Sequence, residues 1–556
     1  MNIDKIPWGS YPRPQMKREK YKILNGIWKC NGRDILVPFP PQSELSGYEG
    51  PVEEVLVYET SFVVPEDFTK ERILLHFGAA DQIGEVWLNE QFLGRHEGGY
   101  LPFTFDITEA VLRKGENHLR VKATDTLDLK YPYGKQCKKR GGMWYTPVSG
   151  IWQTVWMENV PNQYIEKIKI IPNLTGIDME VVANEEVDIM AEISLPDGSI
   201  FSCQMENSRA RIEIDNPILW DVENPYLYEM KLRMDEDLVE TYFALRTIGI
   251  EKIDGINRVC LNGKPVFLHG VLDQGYFQDG IFLPKEEEEY ERDVLRMKEL
   301  GFNMLRKHIK VEPEAFYYAC DKLGILVVQD MVNSGSYSWT FDTALPTIGF
   351  KKRKDTKGNI DGEREQIFKE HMKGILEHLH NHPSVIVYTI FNEGWGQFHS
   401  DAMYELAKSW DGTRLFNTTS GWFAQKKNDF DSEHIYFKVI DLKIKERPLF
   451  VSECGGYALP VEGHLFNPDN EYGYGKCKDS ADLTERIVSM YHKMLLPAIK
   501  KGVCGCVYTQ LSDVEDEVNG LYTYDRQVCK VIKDKMQQVA KELYGEIEAA
   551  GCKKTF

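Results

Sequence analysis

Over the first 160 residues, hydrophobic and polar positions exchange places in short runs. "YETSFVV", "RILLHFG", "GEVWLNEQFLG" and "NHLRVKA" broadly alternate β-branched or aromatic residues with polar ones, between breaks of Gly, Asn and Asp. A period of two marks strands with one face on a core and the other in water. These runs predict a β jelly roll over residues 1–160. "YIEKIKIIP", "VDIMAEISL", "ARIEID" and "YLYEMKLRM" continue the pattern and predict a second, smaller β-sandwich over 161–250.

From residue 251 strands alternate with helices. "PVFLHGV" precedes the helical pattern "EYERDVLRMKEL", which stops at Gly301. "FNMLRKH" precedes "EAFYYACDKL", which stops at Gly324, and "ILVVQDM" follows. A helix over "REQIFKEHMKGILEHLH" then leads into "VIVYTIFN", "RLFNTT", "EHIYF", "PLFVSE" and "VCGCVYTQ". Met536, Val539, Ala540, Leu543 and Tyr544 form an apolar stripe for packing a last helix on a barrel wall. Eight strand candidates predict a (β/α)8 TIM barrel over 251–556. The polar stretch 332–362 is expected to be a loop over its mouth.

Composition narrows the partners. A chain of 556 residues exceeds one core, which agrees with three domains. A net charge of −19 argues against nucleic acid and against an anionic membrane, since both require a basic face. The N-terminus lacks a basic segment followed by an apolar one, and no apolar run approaches the length of a membrane span. Eleven scattered cysteines without a C-x-x-C pair fit free thiols, so a cytoplasmic location is expected. Self-association into a homo-oligomer is left open.

The candidate chemistry sits at strand ends. In "VIVYTIFNEGWG" a run broken only by Thr389 ends in Asn392-Glu393, and in "RPLFVSECGGY" another apolar run ends in Glu453 before two glycines. In a (β/α)8 barrel such residues converge on one face, the C-terminal mouth. Counted along the chain, these are the fourth and seventh strands, so two carboxylates share a cleft. Two carboxylates suffice for glycoside hydrolysis, without cofactor or metal. Trp395, Tyr436, Tyr457 and Tyr508 offer apolar faces for sugar rings. Asp273 and Asp330 also end strands and are candidate sugar ligands.

The chain resembles glycoside hydrolase family 2, the family of β-galactosidases, β-glucuronidases and β-mannosidases. "LNGIWKC", "VWLNEQFLGRHEGGYLPFTFDIT" and "GIWQTVWME" are similar to its sugar-binding jelly roll, and "WDVENPYLYEMKL" to its immunoglobulin-like domain. "NHPSVIVYTIFNEGWG" and "RPLFVSECGGY" are similar to its catalytic strands. The resemblance implies that Glu393 is the acid/base, Glu453 the nucleophile, Asn392 a ligand of the sugar 2-hydroxyl and Tyr436 a partner of the nucleophile, in a retaining reaction. Three positions depart from the family pattern. Arg306-Lys307-His308 replaces Arg-x-Ser-His, with His308 as a candidate sugar contact; Asp273 ends the first strand in place of an Arg-His-Glu motif; and Tyr508 replaces a frequent Trp.

Two rivals lose ground on the sequence. A metal-dependent barrel hydrolase would have to use His378, His380 and His382, which precede a strand and so fall at the wrong end of a barrel. A glycan-binding pseudoenzyme has no use for both carboxylates. The expected activity is a retaining exo-β-glycosidase of the β-galactosidase type, with β-glucuronidase as the alternative and β-mannosidase or arabinopyranosidase behind it. The family's Asn-x-Lys signature for a uronic acid lies beyond the eighth strand, whereas Asn262-Gly-Lys264, the single such triplet here, precedes the first. A uronate would therefore need Lys307, or the basic cluster 135–140 folded over the mouth.

Overall fold

The structure, a computed structural model, describes residues 5–185, 188–356, 361–436 and 438–551. The jelly roll packs a six-stranded sheet on a four-stranded one. A hairpin at the edge of the larger sheet pairs Ile83–Leu88 with Gln91–Glu97 across Asn89-Glu90, both at positive φ, which the polar dipeptide tolerates in a tight turn. Leu75, Phe77, Val86, Leu88, Leu119 and Val121 supply the buried alternate positions of its core. The second sandwich pairs a three-stranded and a four-stranded antiparallel sheet around Ile177, Met179, Ile193, Met230 and Leu232.

The barrel strands are β1 (Leu268–Asp273), β2 (Met304–Lys307), β3 (Leu326–Asp330), β4 (Val385–Asn392), β5 (Leu415–Ser420), β6 (Asp431–Ile435), β7 (Leu449–Cys454) and β8 (Val503–Tyr508). They pair in parallel, with β8 beside β1, so the sheet is nearly closed; the ladder is interrupted between β5 and β6. All but β6 are buried along their whole length, because helices cover the outside and side chains fill the axis. The helices are α1 (Glu288–Glu299), α2 (Glu314–Leu323), α3 (Gly362–Leu379), α4 (Ser400–Trp410), α5 (Ser480–Met490) and α6 (Lys533–Gly551). Met536, Val539, Ala540 and Leu543 of α6 are buried, as their stripe predicts. Among the described residues, no helix is long and apolar enough to cross a membrane.

Three features position the site. An antiparallel hairpin, Ile248–Ile253 with Ile256–Leu261, closes the barrel floor: Val259 and Leu261 pack with Leu268, Met304 and Leu326. Asn262-Gly263 is the turn after it, far from the mouth. At the mouth, the stretch expected to be a loop is partly helical, with a π-helical turn over Trp339–Ala344 followed by Leu345–Thr347. Residues 357–360 of that stretch lie outside the described residues. Arg353 ties it down by pairing with Asp342 (2.7 Å) and donating to the Gly394 carbonyl (2.9 Å).

The third feature is a jelly-roll segment, 129–148, laid across the mouth. Tyr133 donates to the carbonyl of Gly335 (2.8 Å), Gly335 donates to Leu129 O (2.6 Å), and Thr146 N donates to Glu515 (2.8 Å). Tyr100, Tyr145, Val148 and Trp152 share one apolar core with the barrel.

Candidate active site

β4 ends in Asn392, and Glu393 follows at φ 51°. A glutamate pays about 1–3 kcal/mol to hold this left-handed conformation, which takes its side chain off the strand line and into the mouth. Trp422 donates to the Glu393 carbonyl (3.0 Å) and the Glu393 N–H donates to Ser420 O (3.0 Å), so neighbouring elements hold the turn. Glu453 lies in β7, and the two glycines after it have positive φ. A Cβ on Gly455 would run into the Tyr508 ring, and one on Gly456 into the Tyr474 ring.

Arg306, fully buried on β2, is the hub. It donates to both oxygens of Asp330 (3.0 and 2.9 Å), to Glu453 Oε1 (3.0 Å), to the Ser452 carbonyl (3.0 Å) and to Asn392 Oδ1 (2.9 Å). Tyr436 donates to Glu453 Oε2 and lies 3.3 Å from Glu393 Oε1. His434, two residues before Tyr436 and on the same face of β6, bonds Glu393 Oε1 through Nδ1 (2.7 Å) and Ser420 Oγ through Nε2 (2.8 Å). Burial opposes ionisation of Glu453, but His434, Arg306, His308 and the Tyr436 hydroxyl outweigh it and hold its pKa at about 2. A ligating atom from each of Glu393, His434 and Glu453 lies within 4.8 Å of the others. The three could share a cation, although Arg306 and Tyr436 already donate to the two oxygens of Glu453.

The structure brings together seven of the ten candidate residues: Glu393, Glu453, Asn392, Tyr436, His308, Asp330 and Trp395. Asn392 Nδ2 is buried and unpaired, a donor available to a ligand. His308 bonds Asp330 through Nδ1 (2.8 Å), and its ring meets Trp395 edge-on at 6.3 Å. Both oxygens of Asp330 are engaged by Arg306 and His308, so it orients those groups. The Trp395 ring sits against Trp144 (5.5 Å) and Tyr337 (5.5 Å).

Three candidates fall elsewhere. Successive side chains on a strand point to opposite faces, so Arg306 looks inward and Lys307 looks toward α2, 4.2 Å from the centre of the Phe316 ring. There Lys307 pairs with Asp273 (2.6 Å) and Glu312 (2.9 Å), which removes both Lys307 and Asp273 from the sugar site. Tyr508 likewise faces outward, into the core shared with the helices, and supports the Gly455 turn. The histidines of the metal rival lie before β4: His382 bonds Asp321 (2.6 Å) and His380 lies 3.6 Å from Asp411. His378 lines a separate cleft of about 380 Å³ with Arg13, Glu287 and Glu314.

Four residues at the site were not among the candidates: Arg306, His434, Glu517 and Lys135. His434 carried a signal in its spacing, since His434-x-Tyr436 puts two polar side chains on one strand face. Arg306 was named as part of a motif, without a role. Lys135 belongs to the basic cluster singled out above, and Glu517 carried no signal at all.

Fold and site define a class: a (β/α)8 barrel with two facing carboxylates at its C-terminal mouth, preceded by two β-sandwiches. Three family models match in order: the sugar binding domain of glycosyl hydrolases family 2 over residues 48–161, the family 2 domain over 163–250, and the family 2 TIM barrel domain over 252–468. The chain belongs to glycoside hydrolase family 2. Among curated relatives, a β-galactosidase of Halalkalibacterium halodurans is 24% identical over 452 residues, 76% of this chain and 41% of its own length. A putative β-glucuronidase of Formosa agariphila is 24% identical over 71% of this chain and 49% of its own length. The chain thus spans less than half of either relative. The solved β-D-glucuronidase of Dictyoglomus thermophilum superposes with a TM-score of 0.76 at 19% identity, covering 96% of this chain and 98% of that one, a likeness of fold.

Proposed function

We propose that the protein is a retaining exo-β-glycosidase releasing a terminal, non-reducing, β-linked neutral sugar, with galactose the first choice. The observation that carries this reading is the pair of carboxylates, Glu393 and Glu453, with closest oxygens within 4.8 Å. Retaining glycosidases place theirs about 5–5.5 Å apart, whereas inverting enzymes leave room for a water at about 6.5–9.5 Å.

In this reading Glu453 attacks the anomeric carbon while Glu393 gives its proton to the glycosidic oxygen, so the aglycone leaves as an alcohol and the sugar remains as an ester of Glu453. Water then attacks the same carbon, Glu393 takes its proton, and Glu453 is released as a carboxylate. The hydrogen bonds around Glu393 support the first step. His434, bonded to Ser420 Oγ through Nε2 (2.8 Å) and to Glu393 Oε1 through Nδ1 (2.7 Å), holds the Glu393 carboxyl beside the nucleophile. Arg306 and Tyr436 keep the nucleophile ionised and aimed.

The choice of a neutral sugar is supported by charge. Beside the two catalytic groups the pocket holds Asp330 and Glu517 against Arg306 and Lys135, leaving no surplus of positive charge for a uronate. One observation favours the β-glucuronidase alternative: Lys135 is buried against Trp395 and, among the described residues, has no hydrogen-bond acceptor. A cytoplasmic setting belongs to the proposal too, supported by ten free cysteines among the described residues.

Incubation with a 2-deoxy-2-fluorogalactoside bearing a good leaving group tests the reading. Mass spectrometry should find one fluorosugar on the peptide carrying Glu453. Labelling of another residue, or turnover with inversion by NMR, would overturn it.

A further inference from the structure

The basic run 135–140 divides once the jelly roll closes over the mouth. Lys138 stays 68% exposed, 3.7 Å from Glu54, and Arg140 pairs with Asp516 (3.2 Å) and Glu515 (3.5 Å) on the loop after β8. Lys135 turns inward and is only 7% exposed. Its Nζ lies 4.6 Å from the centre of the Trp395 ring and 5.9 Å from that of Trp144. Among the described residues, no acceptor lies within hydrogen-bond reach of this ammonium and no carboxylate within 4.0 Å. A buried ammonium without an acceptor is costly, and its three donors remain free for a ligand.

Glu517 stands on the other side. One oxygen, Oε2, accepts from the Tyr145 hydroxyl (2.7 Å) and from Gln510 Nε2 (2.7 Å), while among the described residues Oε1 has no hydrogen-bond partner. Tyr145 joins the two groups, because its main-chain N–H donates to the Lys135 carbonyl (3.0 Å) while its side chain holds Glu517. Burial lowers the basicity of Lys135, and the charges of Glu517, Glu393 and Glu453 oppose that shift. Beside Glu517, Asn519 Nδ2 is buried and unpaired.

These two groups demand complementary atoms. Lys135 can only donate and an ionised Glu517 can only accept. A uronate would satisfy Lys135, but it would also bring a third negative charge beside Glu517 and Glu453. Two neighbouring hydroxyls satisfy both groups, one oxygen accepting from Lys135 and one O–H donating to Glu517. We infer that Lys135 of the jelly roll and Glu517 of the loop after β8 are the specificity-determining pair for the glycone. They select a neutral pyranose by its hydroxyls and reject a uronic acid, so that the sugar site is complete only when the jelly roll lies across the barrel. This inference rests on the catalytic reading of Glu393 and Glu453 and concerns a different part of the same pocket.

The test uses the full chain and Glu517→Gln, Glu517→Ala and Lys135→Met, each checked for an unchanged circular dichroism spectrum. For 4-nitrophenyl β-galactoside and β-galacturonide, Glu517→Gln should move the ratio of kcat/KM at least tenfold toward the galacturonide. Lys135→Met should lower kcat/KM for the galactoside at least tenfold, mainly through KM. Calorimetric titration with free galactose and galacturonic acid reads the same preference without catalysis. A ratio that stays within twofold in Glu517→Gln, or a wild-type preference for the uronic acid in the titration, would overturn the inference. Loss of hydrolysis with the binding preference intact in the wild type would count against the catalytic reading and support the pair.

Discussion

Arg306 and Lys307 are adjacent on β2, yet they organise two buried ionic networks on opposite faces of the same wall. The inner one joins Arg306 to Asp330, Glu453 and Asn392. The outer one joins Lys307 and Lys310 to Asp273 and Glu312 behind the strand, where Lys310 also donates to the Phe282 carbonyl (2.7 Å) and Tyr290 to Glu312 (2.9 Å). Both are buried and both join acids to bases, so neither burial nor charge tells them apart. Saturation does. In the outer network Glu312 meets two ammonium groups and a phenol while Asp273 meets an ammonium and a main-chain N–H, so its ions answer one another. The inner network leaves the Asn392 amide unpaired and opens onto Glu393 across the Tyr436 hydroxyl. A buried network with an unused donor can still take a ligand; one that is internally complete holds the wall together.

Glu453→Ala breaks the comparison most severely. It should lower kcat by at least about 10⁴-fold, with azide partly restoring turnover as an α-glycosyl azide, read by NMR. The same residue gives the inner network a pH signature. Its folded pKa of about 2 lies below the ordinary 4.5, so its stabilising contribution is complete above about pH 4.5 and is lost as pH falls toward 2. Acid unfolding of Glu453→Gln, followed by circular dichroism, should therefore lack that part of the wild-type transition. An unchanged transition would mean that the carboxylate is not held down by Arg306 and His434.

Glu393→Gln should have the next largest effect. Substrates with alkyl leaving groups should slow by about 10²–10⁴-fold, whereas dinitrophenyl glycosides, which need little protonation, should lose less than about tenfold in the first step. Equal slowing of both classes would remove Glu393 from the role of acid.

Lys307→Met sharpens the comparison from the other side and should have the smallest effect on catalysis. Removing the ammonium leaves Asp273 buried without its cationic partner, with the Gly275 N–H as its remaining hydrogen bond, at a cost of about 3–5 kcal/mol in stability. At 25 °C, kcat/KM and the galactoside-to-galacturonide ratio should stay within about twofold of wild type. A large change in that ratio would mean that Lys307 reaches the sugar after all.

The two facing carboxylates were legible because their signal is local. Each ends an apolar run with a glycine one or two residues on, and a parallel barrel sends such residues to one face whatever the detailed packing. The strand count was legible for the same reason, since each of the eight runs carries its own periodicity. The parity of β2 was not. Both faces of a barrel strand are buried, so the apolar pattern does not say whether Arg306 or Lys307 looks inward. Tyr508 was misread on the same ground: its place at a strand end is evident, but the side it faces depends on where β8 settles between β7 and β1. Asp330 was placed at the mouth correctly, and only its partners show that Arg306 and His308 use both its oxygens.

By itself the sequence determined three successive folding units, the order of the barrel strands and the two glutamates at the C-terminal ends of the β4 and β7 runs. Each follows from a periodicity or a break within a few neighbouring positions, where chain connectivity alone brings the residues together. Only the tertiary structure decided which cation enters the pocket. Tyr145 and Glu517, whose hydrogen bond fixes Lys135 opposite the barrel loop, are 372 residues apart in the chain. That contact exists because the jelly roll docks across the mouth and buries Tyr145 and Val148 in the barrel's own core. Docking of that kind depends on the summed shape and apolar area of two domains, and no short window of sequence contains it.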